Sequence, residues 1–215
     1  MGLHIYIWII LLGSITGATV YFKKGTPLFL KALPVYLLVT FLVEYIGQWM
    51  NYNGRTTVTL YNIFTTIEFV FYFWLLRFLV KGRFARQLLR HSLWAYPLLV
   101  LANKLFVQTG MQFHTITFSL GGLLIVMATI IYFFELFEME HPVNLVREPA
   151  FWISSGLLFF YACTFPLYAL INFLRDPSNI IIKNIGSIIA IVNILLYSSF
   201  IVAALCRIRT RKSLS

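Results

Sequence analysis

The chain has 215 residues, of which 60% are hydrophobic and only 11% charged, against about 25% charged in an ordinary soluble domain. Seven membrane-spanning helices of about 22 residues would use about 154 residues, and the short connections left over exclude a soluble kinase, nuclease or dehydrogenase domain, which needs about 50 residues or more. The net charge of +10 sits at the ends of apolar runs, a placement that speaks against nucleic acid and for the anionic surface of a membrane.

Apolar runs at 4–22, 31–49, 58–80, 92–107, 116–137, 151–174 and 180–206 predict one all-α, polytopic domain of seven transmembrane helices over 1–215. The first run has no basic residue before it and Lys23-Lys24 directly after it, the reverse of a secretory leader, so a retained first helix is expected. Gly13 and Gly17 within it make a GxxxG spacing suited to close helix packing inside the chain. In the second run Thr40, Glu44 and Gln48 recur every four residues on one face. In the third, Tyr61, Thr65, Glu68 and Tyr72 follow at i, i+4, i+7 and i+11 on one face, with Asn62 beside them. Arg77, Lys81, Arg83, Arg86 and Arg90 then form a basic segment, read as a loop from Arg77 to His91 that contacts anionic lipid. The fourth run is the weakest, interrupted by Asn103 and Lys104, and the fifth carries Gly121-Gly122, a second small-residue packing point. Glu135, Glu138, Glu140 and Glu148 flank the next connection, where the readings are solvated surface charge, pairing with the basic segment, or a docking surface for a cytosolic partner. The sixth run bears Tyr161, Thr164, Tyr168 and Asn172 around Pro166, and the seventh bears Asn193 and Tyr197 four residues apart.

Charge sets the expected orientation. With seven spans, Lys23, Lys24, Lys31, Arg77, Lys81, Arg83, Arg86, Arg90, Arg147, Arg207, Arg209, Arg211 and Lys212 share one side, and only Arg55, Lys104, Arg175 and Lys183 the other. The positive-inside rule then puts the N-terminus outside and the C-terminus inside. Trp8 and Trp49 fall near the outer interface and Trp94 and Trp152 near the inner one, as aromatic belts require; Trp74 reads as a packing residue.

Two carboxylates within apolar runs are the main functional signal. Counted from the loop between the second and third runs, Glu44 lies ~9 Å deep and Glu68 ~15 Å deep, within about one helical turn of each other. An acidic group at mid-membrane costs about 2.5–3.5 kcal/mol on insertion scales, so both are expected to face the bundle interior and to share a proton or stay neutral near pH ~7. Thr40, Gln48, Tyr61, Asn62, Thr65, Tyr72, Tyr161, Tyr168, Asn193 and Tyr197 are the expected wall of a ligand or proton site, or else hydrogen-bond partners that join the helices.

Signatures of other chemistries are missing. His4, His91, His114 and His141 make no two-histidine spacing, and the sequence holds neither an HExxH motif nor a GxSxG elbow, which argues against zinc and serine hydrolase chemistry. Cys163 and Cys206 differ in depth by far more than a disulfide spans. No cofactor or metal is expected, and an enzymatic role stays open but unsupported.

Phe41-Leu42-Val43-Glu44, Leu60-Tyr61-Asn62 followed by Ile67-Glu68-Phe69, and Glu148-Pro149-Ala150-Phe151-Trp152-Ile153 resemble segments of seven-span inner-membrane proteins of Bacteroidota-type bacteria. The resemblance implies a bacterial inner membrane and draws attention to Glu44 and Glu68; it implies no reaction. The expectation is therefore a receptor-like or sensor-like bundle that binds a small ligand, lipid or proton near Glu44 and Glu68. It would act through a cytosolic or membrane partner, because about 215 residues of membrane helix leave no room for an output domain. A small transporter or proton/cation pathway is the alternative, and an intramembrane enzyme the third reading.

Overall fold

A computed structural model of the chain describes residues 5–138, 144–170 and 180–209. Its helices are α1 (Ile5–Ala18), α2 (Leu28–Tyr52), α3 (Val58–Leu79), α4 (Arg83–Ala102), α5 (Thr115–Phe137), α6 (Pro149–Leu170) and α7 (Ile180–Arg209), and the described residues contain no strand. A 3-10 turn over Thr19–Phe22 extends α1, and a π-helical turn over Asn103–Val107 extends α4. Glu140 and Asn172 lie outside the described residues.

Six of the seven helices, all but α4, are long and apolar enough to cross a membrane, which fits a multi-pass membrane protein. α4 differs because its first half is basic, with Arg83, Arg86, Arg90 and His91. Here the structure corrects the expected boundaries. The segment from Arg77 to His91 is not a loop: only residues 80–82 separate α3 from α4, and the fourth helix begins nine residues before Ser92. Arg, Gln and Leu are good helix formers whatever their charge, and Ala85, Leu89, Ser92 and Tyr96 are buried at i, i+4, i+7 and i+11, one face of an amphipathic helix. Other ends move less. α2 starts at Leu28 and runs to Tyr52, because Pro27 sits at its N-cap, where a missing N–H costs nothing.

α1 packs on α2 and α7, α6 packs on α5 and α7, and α3 packs on α4, α5 and α2. The bundle therefore closes between first and last helices, with α4 held mainly against α3. The GxxxG face of α1 is used inside the chain. A Cβ on Gly17 would lie 2.9 Å from the Pro34 ring of α2, and the Ser14 hydroxyl donates to the Pro34 carbonyl at 3.0 Å. Gly121 and Gly122 likewise face Phe69 and Phe165 within the bundle. Trp8 and Trp49 are exposed on the exterior of the bundle, whereas Trp74 packs edge-on against Phe78 at 5.0 Å.

Of the acidic residues around the α5–α6 connection, Glu135 in the last turn of α5 pairs with the basic segment, through its backbone. Glu135 accepts the Lys81 N–H at 2.5 Å and the Gly82 N–H at 2.8 Å. Gly82 is the N-cap of α4, so a carboxylate from α5 supplies acceptors to N–H groups that the start of α4 leaves unpaired.

Candidate functional site

The α2–α3 hairpin brings the two carboxylates to one chamber of about 230 Å³, and both Glu44 and Glu68 line it. Counting from the hairpin ends at Tyr52 and Val58, Glu44 is ~12 Å and Glu68 ~15 Å along its helix, so the depths agree to less than one turn. Glu44 binds three helices together. Its Oε2 accepts the hydroxyls of Tyr6 from α1 at 2.9 Å and Tyr61 from α3 at 3.1 Å. Glu68, 7% exposed, accepts the Tyr36 hydroxyl of α2 at 2.8 Å, and that hydroxyl also meets the Tyr72 hydroxyl at 2.7 Å. Neither carboxylate points to lipid. Each is held by phenolic donors, the arrangement that burying a carboxylate demands.

Gly47 makes this geometry possible. It lies one turn after Glu44, and a Cβ there would stand 2.5 Å from the Tyr61 hydroxyl and 3.0 Å from its Cζ. A bare backbone lets the Tyr61 ring lie flat against α2 and reach the carboxylate.

The polar stripes of α2, α3, α6 and α7 converge. Glu44, Tyr61, Thr65, Glu68, Tyr168, Asn193 and Tyr197 all line the chamber, joined by Thr164 and by the rings of Phe64, Phe113, Phe118 and Phe160. Five expected residues take other places. Thr40 is fully buried and donates to the Tyr36 carbonyl of its own helix at 2.9 Å. Gln48 lies outside the chamber lining, and its amide is buried without a partner among the described residues. Tyr72 and Tyr161 sit below the chamber in a fully buried ring layer with Phe69 and Phe200, with centroids 5.3–6.3 Å apart. Tyr72 stands one turn past Glu68 along α3, away from the hairpin.

Asn62 departs furthest from expectation. It is one residue, or about 100° of helix, from Tyr61, and so faces another way. Its Nδ2 donates to the Gln112 carbonyl at 3.0 Å and its Oδ1 accepts the His114 N–H at 3.0 Å. Asn62 thereby fastens the α4–α5 connection and lines a second, lateral cavity of about 450 Å³ between α3, α4 and that connection.

Residues that the sequence reading left out include Tyr6 and Tyr36. Tyr36 stands four residues before Thr40, so extending the α2 stripe one turn back finds it. Tyr6 lies near the start of an apolar run with no periodic neighbour, and nothing in the sequence distinguishes it from an interfacial aromatic residue.

At the opposite end of the bundle Arg77, Arg83, Arg86 and Arg90, with Gln87, line a cleft of about 170 Å³. Lys81 is not among them and faces solvent beside the turn. Four guanidinium groups around one cleft form a surface for oxyanions. Among the described residues no group of His, Cys, Asp and Glu could hold a metal ion. No family model, curated protein or solved structure matches the chain.

Proposed function

We propose that the protein is a receptor-like seven-helix bundle of a bacterial inner membrane that binds a small polar ligand or a proton in the Glu44/Glu68 chamber and reports occupancy to a partner at its basic end. The carrying observation is the convergence of polar side chains from α1, α2, α3, α6 and α7 on one small chamber. The layer of fully buried rings beyond Glu68, formed by Phe69, Tyr72, Tyr161 and Phe200, favours a binding site over a passage. At about 230 Å³ the chamber is smaller than the about 300–1,000 Å³ of drug-sized pockets, so the ligand is correspondingly small. One observation keeps the transport reading alive: the Tyr36–Tyr72 hydroxyl pair continues from Glu68 towards that layer.

In this reading α4 also spans, with the π-helical turn bringing its length to the 25 residues between Arg83 and Val107, about 37 Å of helix. The N-terminus is then outside and the C-terminus inside, and a reporter fused after Lys212 is active in the cytoplasm.

The test of the chamber is the E44Q/E68Q double variant, which keeps hydrogen-bonding groups and removes charge. The wild-type melting temperature in detergent is expected to depend on pH or added small cations, and the variant's to be insensitive to both. Identical profiles for the two proteins remove the ligand or proton role and leave hydrogen bonding between helices. Cation or proton flux in proteoliposomes carried by the wild type alone replaces the receptor reading with transport.

A further inference from the structure

The lateral cavity described above continues beyond its own walls. On α3, Ile63, Ile67, Val70 and Trp74 follow at i, i+4, i+7 and i+11; the first two line the lateral cavity, and Ile67, Val70 and Trp74 line a second apolar hollow of about 550 Å³. Ile67 belongs to both, so the two hollows join into one groove. The antiparallel α4 supplies the facing stripe, from Lys104 through Leu101 and Pro97 to Trp94. From Thr59 to Trp74 the groove runs ~22 Å along α3, longer than the ~15 Å of one membrane leaflet. Its rims lie on the outer surface, with Ile63 59%, Ile67 55% and Leu101 53% exposed, so it opens sideways, where lipid would be.

The two ends of the groove differ. The Trp74/Trp94 end is apolar, whereas the α4–α5 end carries Lys104, His114 and Thr109 and no described acidic residue. His114 is 6% exposed, lines the cavity, and has an Nδ1 with no hydrogen-bond partner among the described residues. Burial and the nearby Lys104 ammonium hold its imidazole below the usual histidine range, which leaves Lys104 as the formal charge among the described residues that line the cavity. A buried ring nitrogen without a partner beside an exposed lysine is an unfilled polar site at the head of an apolar channel.

We propose that this groove binds one anionic phospholipid, with its phosphate-bearing headgroup at Lys104 and His114 and one acyl chain laid along α3 and α4 past Ile67 towards Trp74 and Trp94. The site is separate from the Glu44/Glu68 chamber, which lies on another face of α3, and from the arginine cleft at the other end of the bundle. It does not depend on what the chamber binds.

The full-length protein, purified in detergent, is titrated with phosphatidylglycerol or phosphatidylcholine of the same chains and read by native mass spectrometry. One phosphatidylglycerol is expected to bind more tightly than phosphatidylcholine. Lys104→Gln, a change at an exposed side chain that leaves packing alone, is expected to weaken phosphatidylglycerol about fivefold, the effect of one interfacial charge, and to leave phosphatidylcholine unchanged. Ile67→Trp fills the junction of the two hollows and is expected to reduce binding of both lipids, whereas an R83Q/R86Q/R90Q variant retains this lipid. Equal binding of the two lipids by the wild type, or no response to Lys104→Gln, overturns the headgroup assignment. Unchanged binding to the Ile67→Trp protein overturns the groove, and palmitate binding as tightly as phosphatidylglycerol replaces phospholipid with free fatty acid.

Discussion

Gly47→Ala is the sharpest probe of the chamber, because two opposed effects have calculable sizes. In a helix, Ala is favoured over Gly by about 0.8–1 kcal/mol. Against this, the new Cβ would stand 2.5 Å from the Tyr61 hydroxyl, and ordinary contact needs about 3.5 Å. The hydroxyl therefore retreats by about 1 Å, which carries its 3.1 Å bond to Glu44 to ~4 Å, outside hydrogen-bonding range. A bond to a carboxylate is worth about 1.5–3 kcal/mol, so the net expectation is a loss of about 0.5–2 kcal/mol. The control is Tyr61→Phe, which removes the hydroxyl but keeps the ring. On that background Gly47→Ala should keep the helix gain of about 0.8–1 kcal/mol, less what the tight 3.0 Å approach of the ring carbon takes away. The assay is reversible unfolding in mixed dodecyl maltoside and SDS micelles, run as a double-mutant cycle with an expected coupling of about 1.5–3 kcal/mol. If Gly47→Ala stabilises both backgrounds by about 1 kcal/mol with no coupling, Tyr61 does not lie against α2 and the Glu44 geometry is wrong.

Three other perturbations have outcomes set by single contacts. Tyr36→Phe strips the donor from Glu68 and the partner from Tyr72, both buried, and should lower unfolding free energy by about 1–3 kcal/mol; a loss below about 0.5 kcal/mol in the same micelle assay contradicts the contact. Glu135→Gln turns one of the two carboxylate oxygens that accept backbone N–H groups at the start of α4 into a donor, costs about 1 kcal/mol, and should speed amide exchange at Lys81 and Gly82, while unchanged exchange would show the capping to be absent. Neutralising Arg83, Arg86 and Arg90 together should reduce retention of acidic lipid at the basic end and leave melting unaltered; full retention reduces that cluster to a topology signal.

What the sequence reveals and what it conceals follow from helix geometry. Apolar runs announce helices because a membrane-crossing helix needs about 20 consecutive apolar residues, and the carboxylate stripes announce an interior face because i, i+4, i+7 positions share one side. The same rule misleads at α4, where Arg83, Arg86 and Arg90 read as loop when polarity is taken for absence of structure; the buried stripe of Ala85, Leu89, Ser92 and Tyr96 was the better guide. It also separates neighbours, since Asn62 beside Tyr61 faces the lateral cavity and not the chamber. Rings such as Phe113, Phe118 and Phe160 have no signature as chamber walls, because apolar side chains are equally suited to lipid, core and cavity. Which helices meet is a matter of three-dimensional packing, and the contact of α3 with α5 has no one-dimensional trace.

Asn62 holds a connection that lines both cavities, and its replacement tests whether they are mechanically joined. Phe113 lines the chamber and His114 lines the lateral groove, so adjacent residues of one connection serve both sites. That connection is held to α3 by the two amide bonds of Asn62, to Gln112 and to His114. Asn62→Ala removes both and leaves the His114 N–H without that acceptor, a cost of about 1–3 kcal/mol borne locally by residues 108–114. Faster amide exchange is expected at His114, together with weaker phospholipid binding at Lys104 and an altered pH or cation response of the chamber. Lys104→Gln should change the first of those binding properties and leave the second, because it touches only one cavity. If Asn62→Ala alters lipid binding and leaves the chamber response as in the wild type, Phe113 stays in place without the Asn62 clamp. The two cavities would then be neighbours on α3 with no coupling free energy between them.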